Sequence, residues 1–174
     1  MNYATIKDLD IANGEGIRVS LFVSGCPHHC IECFNPETWD YNYGAPFTQE
    51  IIDNILSLCE RDFVAGLSLL GGEPLVPQNQ ENVLNLIKQF RQKFGNSKNI
   101  WCYTGYIFDK DFAEGGRAHT PISDEILSNV DILVDGPFIL AQKDITLAFR
   151  GSSNQRVIDL NKSRAQNKIV LYLS

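Results

Sequence analysis

Short apolar runs alternate along this chain with longer amphipathic stretches. Ile17–Ser24, Leu67–Leu70, Ile100–Tyr103 and Ile132–Val134 are brief and rich in β-branched or aromatic residues, the pattern of buried strands. Between them the apolar period lengthens to that of a helix. Thr48 is placed to cap a helix running to about Arg61, with Ile51, Ile52, Ile55, Leu56 and Cys59 on one face. A second helix from about Asn79 to Phe94 carries Val83, Leu84, Ile87, Phe90 and Phe94 as its inner stripe, and Gly95 suits its stop. Ser123 is placed to cap a short helix reaching Asn129, and Arg156–Leu160 and Lys168–Leu173 read as later strands.

Strand–helix alternation favours a parallel sheet with crossover helices. At 174 residues the chain falls short of the ~250 of a full eight-unit barrel. The expected fold is therefore α/β, an incomplete, open parallel β/α barrel, in a single domain over residues 1–174. In such folds ligands gather at the C-terminal ends of the strands. Four unusual segments follow predicted strands: the cysteine loop after Ser24, Gly71-Gly72-Glu73-Pro74, Tyr103-Thr104-Gly105-Tyr106 and Asp135-Gly136-Pro137-Phe138. All four are expected to line one mouth.

Composition narrows the setting. A hydrophobic content of 44% and 21% charged residues are ordinary globular values, which argues against global disorder. The net charge of −6 disfavours a nucleic-acid partner, which calls for a basic face. Lys88, Arg91 and Lys93 read as the solvated edge of one helix. Met1-Asn2-Tyr3-Ala4-Thr5 lacks the basic-then-apolar pattern of a signal peptide, and no apolar run approaches a membrane span. An odd count of five cysteines, three of them tightly clustered, suggests reduced thiols and a cytoplasmic location. Cys59 and Cys102 lie in apolar surroundings and are expected in the core.

Chemistry concentrates in Gly25-Cys26-Pro27-His28-His29-Cys30-Ile31-Glu32-Cys33-Phe34-Asn35. Gaps of three and then two residues let one loop turn its thiolates toward a single metal centre. Thiolate selects zinc, copper(I) or iron–sulfur clusters over magnesium or calcium. A four-iron cluster normally takes four cysteines, so three leave one iron to another ligand. Zinc with His28 or His29 as fourth ligand is the competing reading. It is weakened by the strain of turning a ring inward inside the short first gap and by the missing second cysteine pair. Both histidines are expected to be exposed. Gly71-Gly72-Glu73-Pro74 reads as a turn whose glycines admit a close backbone approach and whose carboxylate suits an ammonium group. An ordinary strand-to-helix turn would have the same composition.

Together these residues resemble the radical S-adenosylmethionine (SAM) superfamily. Within it the chain is similar to the small glycyl-radical activases of anaerobic ribonucleoside-triphosphate reductases. Asn13–Arg18, Leu21–Cys26, Phe34–Trp39, Pro46–Thr48, Trp101–Tyr106, Val134–Phe138 and Arg150–Arg156 carry the similarity across most of the chain. The resemblance implies a [4Fe–4S] cluster on Cys26, Cys30 and Cys33, with SAM chelating the fourth iron. It implies that Gly71, Gly72 and Glu73 meet the methionyl amino group, and that backbone around Glu32, Cys33 and Phe34 lies against adenine. The superfamily often has an aromatic residue just before the third cysteine; here that position is Glu32, and Phe34 follows instead. Tyr103, Asp135, Arg150 and Asn154 complete the candidate set, with Asp135 facing the SAM carboxylate or a cation and Arg150 and Asn154 facing SAM or the reductase. Trp39 and Tyr43 are candidates to cover the cluster.

The implied activity is reductive cleavage of SAM, the resulting 5′-deoxyadenosyl radical generating a glycyl radical on the C-terminal loop of the large reductase subunit. A flavodoxin or ferredoxin would be the electron donor. Another radical SAM target and a non-catalytic zinc or iron adaptor are the alternatives.

Overall fold

The computed structural model describes residues 1–174. In chain order its elements are β1 (Asn2–Asp10), β2 (Ile17–Val23), β3 (Ala45–Pro46), α1 (Gln49–Cys59), β4 (Val64–Gly71), α2 (Pro77–Phe94) and β5 (Asn99–Tyr103). There follow α3 (Phe108–Asp111), α4 (Pro121–Asn129), β6 (Ile132–Asp135), β7 (Arg156–Asp159), α5 (Leu160–Gln166) and β8 (Leu171–Leu173). Single-turn 3₁₀ helices occur at Pro36–Trp39 and Leu140–Gln142.

All eight strands join one sheet in the order β3-β1-β2-β4-β5-β6-β7-β8. The four central strands, β2, β4, β5 and β6, are mutually parallel, as the alternating pattern requires. The expectation of a parallel barrel fails at the flanks. There β1 pairs antiparallel with β2 and β3, and β7 pairs antiparallel with β6 and β8. The connectors explain it. Residues 11–16 form only a hairpin link, and no helix long enough for a crossover follows β6, so the chain reverses rather than returns. The sheet does not close; β3 and β8 are its edges.

Period-two alternation sorts the central side chains between two faces. Val19, Leu21, Leu67, Leu69, Ile100, Cys102 and Leu133 pack with Ile55, Cys59, Val83, Ile87, Phe90 and Ile126 of α1, α2 and α4 in one continuous core. Cys59 and Cys102 are fully buried in it. The opposite face presents Arg18, Ser20, Ser68, Trp101 and Tyr103. Loops rather than long helices cover this face, and its apolar part is a small cluster around Trp101, Val134 and Val157.

Arg18 is fully buried there, donating to Ser68 Oγ at 2.6 Å and to the Leu67 and Glu15 carbonyls. It therefore holds the Glu15 turn through backbone oxygen rather than through the carboxylate. Arg91 is not solvated, as its helix position suggested. It crosses to the Asn129 carbonyl and the Asp131 carboxylate, both at 2.6 Å. No helix is long and apolar enough to cross a membrane.

Candidate active site

β2 delivers the chain into the cysteine loop, and the parallel register of β2, β4, β5 and β6 sets the loops that follow these strands side by side. A cavity of about 140 Å³ results, lined by Cys26, Cys30, Cys33, Gly72, Glu73, Thr104, Gly105, Gly136 and Phe138 among others. Each of the four segments picked out from the sequence contributes to it. A second cavity of about 450 Å³ adjoins it and shares Phe34, Asn35, Tyr103, Phe138 and Gln155 as a common wall. Phe34 and Phe138 meet across that wall with ring centroids 5.4 Å apart.

The three thiols are all free. They line the small cavity without meeting at one point, and no three His, Cys, Asp or Glu side chains converge on a single-ion position. A cube of four irons holds its ligands at separate corners, so a spread of soft donors around a cavity is the arrangement it needs. Burial pushes the Cys26 thiol up to about 11, opposed by the backbone N–H groups of His28 and His29 aimed at its sulfur. Burial also raises Cys30, opposed by the backbone of Phe138. The Asn35 N–H lies 3.4 Å from Cys33 Sγ. A buried thiol with backbone donors facing it is readily held as a thiolate once a metal replaces the proton. On donor chemistry and placement these residues fit an iron–sulfur cluster.

Two polar atoms without partners belong to the wall of the larger cavity. Tyr103 Oη and Arg150 Nε are buried with no hydrogen-bond partner, and both residues line its wall. Such orphaned groups in a cavity wall mark a place for a polar ligand. Other Arg150 nitrogens hold the Gln155 and Ser174 carbonyls.

Glu73 is fully buried, and its carboxylate is already engaged. Oε1 accepts from the Leu75 N–H at 2.9 Å and the Thr104 hydroxyl at 2.8 Å; Oε2 accepts from the Gly105 N–H and from His28 Nε2, both at 2.8 Å. The side chain thus joins protein to protein. The glycines before it likewise approach the chain's own backbone. Gly71, at φ +106°, would place a Cβ 2.7 Å from Phe22 Cα, and Gly72 would place one 2.7 Å from the Gly25 carbonyl.

The remaining candidates scatter. Asp135 accepts from Arg156 Nε at 2.9 Å and from the Phe108 N–H at 2.8 Å, so its carboxylate is engaged by protein donors. Asn154 donates to the Pro137 carbonyl at 2.8 Å and lines neither cavity. Glu32 is exposed, at φ +54°, and also lines neither. Tyr43 is exposed. Trp39 lines the cysteine cavity and stacks on His29 at 4.6 Å. The expectation for the histidines fails for His28, whose side chain is only 8% exposed; its hydrogen bond to Glu73 offsets the cost of burial. His28, weighed in the sequence only as a zinc ligand, and Gln155, given no individual role there, both line the cysteine cavity.

The family model described as a 4Fe-4S single cluster domain matches residues 12–158. The anaerobic ribonucleoside-triphosphate reductase-activating protein of Escherichia coli K12 is 42% identical over 159 residues, covering 90% of this chain and 97% of that protein. The bacteriophage T4 protein of the same name is 38% identical over 159 residues, 90% of this chain and 93% of its own. The Vibrio cholerae one is 39% identical over 157, 89% and 96%. This chain belongs to that activating-protein family. Every cysteine of the cavity lies inside the matched 4Fe-4S domain, and so do the Glu73 turn and the Arg150–Arg156 segment that closes the larger cavity.

Proposed function

We propose that this chain is the activating enzyme of an anaerobic ribonucleoside-triphosphate reductase, working at a [4Fe–4S] cluster held by Cys26, Cys30 and Cys33. The observation that carries the reading is the gathering of these three thiols in one cavity, beside a larger cavity with unpartnered polar groups. Held by Cys26, Cys30 and Cys33, such a cluster would supply the electron for reductive cleavage of SAM to methionine and the 5′-deoxyadenosyl radical that would take a hydrogen atom from the target glycine.

The protein's part is placement and exclusion of water. The small cavity is matched to a cluster and too small for SAM as well. The larger, at about 450 Å³, lies within the range of roughly 300–1,000 Å³ usual for ligand sites. Tyr103 and Arg150 are assigned to the polar parts of SAM there, and Phe34 and Phe138 to the apolar wall between nucleoside and cluster. Gly72 offers its backbone to the methionyl ammonium, while Gly71 and Glu73 shape the turn. The glycine-bearing C-terminal loop of the reductase is the substrate. A flavodoxin or ferredoxin in the cytoplasm is assigned as electron donor.

Reconstitution with iron and sulfide without oxygen, followed by reduction and addition of SAM, tests this. About four irons per chain and release of 5′-deoxyadenosine are expected. Cys26→Ala, Cys30→Ala or Cys33→Ala should each abolish turnover, whereas Cys59→Ala and Cys102→Ala should retain it. A colourless protein carrying one zinc and releasing no 5′-deoxyadenosine would refute the reading.

A further inference from the structure

Between its cysteines the loop has little backbone bonding to hold it in shape. Its ends are anchored, Gly25 N–H to the Thr38 carbonyl and Glu73 N–H to the Gly25 carbonyl both at 2.8 Å, but between the cysteines backbone bonds are few: Cys33 N–H to the Cys30 carbonyl at 3.1 Å, and Cys26 N–H to the Trp39 carbonyl at 3.3 Å. It also carries two non-glycine residues in the left-handed region, His29 at φ +47° and Glu32 at φ +54°. Such a conformation persists only where surrounding structure imposes it. Midway between Cys26 and Cys30, the His28 ring turns inward and reaches Glu73 at 2.8 Å.

Its slot is closely fitted. The ring meets Tyr106 edge-on at 4.5 Å between centroids. Gly105 lies against its other side, where an added Cβ would fall 2.5 Å from His28 Cδ2. The other partners of Glu73 are Leu75 in its own loop and Thr104 and Gly105 in the loop after β5, so one buried carboxylate ties two loops together, and His28 brings in the cysteine loop as the third.

We propose that His28 is a positioning residue: by donating to Glu73 from a slot that only glycine at position 105 leaves open, it locks the cysteine loop to the ends of β4 and β5 and sets how Cys26 and Cys30 face the cavity. What the thiols hold rests on the function proposed above; the lock is a property of the chain itself.

Two measurements separate these. In reduced, metal-free protein, alkylation by iodoacetamide is followed at each cysteine by mass spectrometry. Cys26, buried at the base of the loop, should react slowly in the unaltered protein. His28→Ala should speed it on the order of tenfold, the expected effect of losing a hydrogen bond to a buried charged group. His28→Gln, whose amide nitrogen can still donate to Glu73, should stay near the original rate. Gly105→Ala keeps the imidazole but fills its slot, and should behave like His28→Ala.

In reconstituted protein, the spin-resonance spectrum of the reduced cluster should change in His28→Ala and Gly105→Ala and be retained in His28→Gln. Unchanged Cys26 alkylation in both His28→Ala and Gly105→Ala would overturn the proposal, and so would a His28→Gln variant that reacts as fast as His28→Ala. Should the unaltered protein bind no cluster, the function proposed above fails, yet the alkylation series still decides for or against the lock.

Discussion

Asp135 ends β6 with a carboxylate only 1% exposed. The bidentate guanidinium of Arg156 and the Phe108 N–H take up its oxygens, and Arg156 continues to Asp109 at 2.7 Å. Removing the carboxylate would leave a half-buried guanidinium and a backbone donor unmatched. Asp135→Ala should therefore lower unfolding stability by about 2 kcal/mol. In a chain of this length that is a fall in melting temperature of roughly 4–8 °C, which calorimetry can read. Asp135→Asn should lose less, since its amide oxygen can still accept. Sequence alone showed a carboxylate after a strand, as it showed one at Glu73. It did not show that Arg156, Thr104, Gly105 and His28 would occupy them, because those partners lie 21 to 45 positions away. The cysteines were legible because their chemistry depends on local spacing, whereas the carboxylates depend on tertiary partners.

Elements with a buried face were readable for a similar reason. The central strands and α1 and α2 carry strong apolar periodicity, and their ends agree with the pattern to within a few residues. β1 escaped because it lies toward the sheet edge with most of its residues exposed or half-exposed, so no alternation marks it. α5 escaped because seven residues hold too few turns for a period, although Asp159 caps it by accepting from the Lys162 N–H. Strand direction at the flanks was illegible, since antiparallel and parallel strands share the same apolar pattern. At α4 the cap lies three residues earlier than expected. Thr120 is the N-cap and Ser123 the third helical residue, each side chain accepting from the other's N–H at 3.0 and 2.9 Å. Thr120 also donates to the buried Gln80. Thr120→Ala should consequently cost about 1 kcal/mol or more in urea unfolding. Ser123→Ala, which removes one arm of the box, should cost less; the reverse ranking would return the cap to Ser123.

Across the whole molecule, thiol and phenol protons are held on groups that would shed them if unfolded, Cys59, Cys102, Tyr103 and Tyr106 among them. Burial pushes the Cys59 thiol up to about 12 and the Tyr106 hydroxyl to about 12, and raises Cys102 and Tyr103 as well. An unfolded chain would release thiol protons above pH ~8.5 and phenol protons above ~10. The native state therefore binds more protons than the unfolded one in this window, and stability must fall as pH rises through it. Each group contributes a slope of up to about 1.4 kcal/mol per pH unit between its unfolded and folded values. The thiols act first and the phenols follow. Urea unfolding of metal-free protein at intervals from neutral pH to about 10.5 should thus show accelerating loss of stability. Cys59→Ala offers the sharper test. At neutral pH it is less stable than the parent, because it leaves a void among Ile55, Leu56 and their neighbours. Lacking the thiol, it also lacks that share of the alkaline slope, so the gap to the parent should narrow by about 1 kcal/mol per pH unit above ~9. A gap that stays constant from neutral to alkaline pH would mean that Cys59 carries none of this dependence.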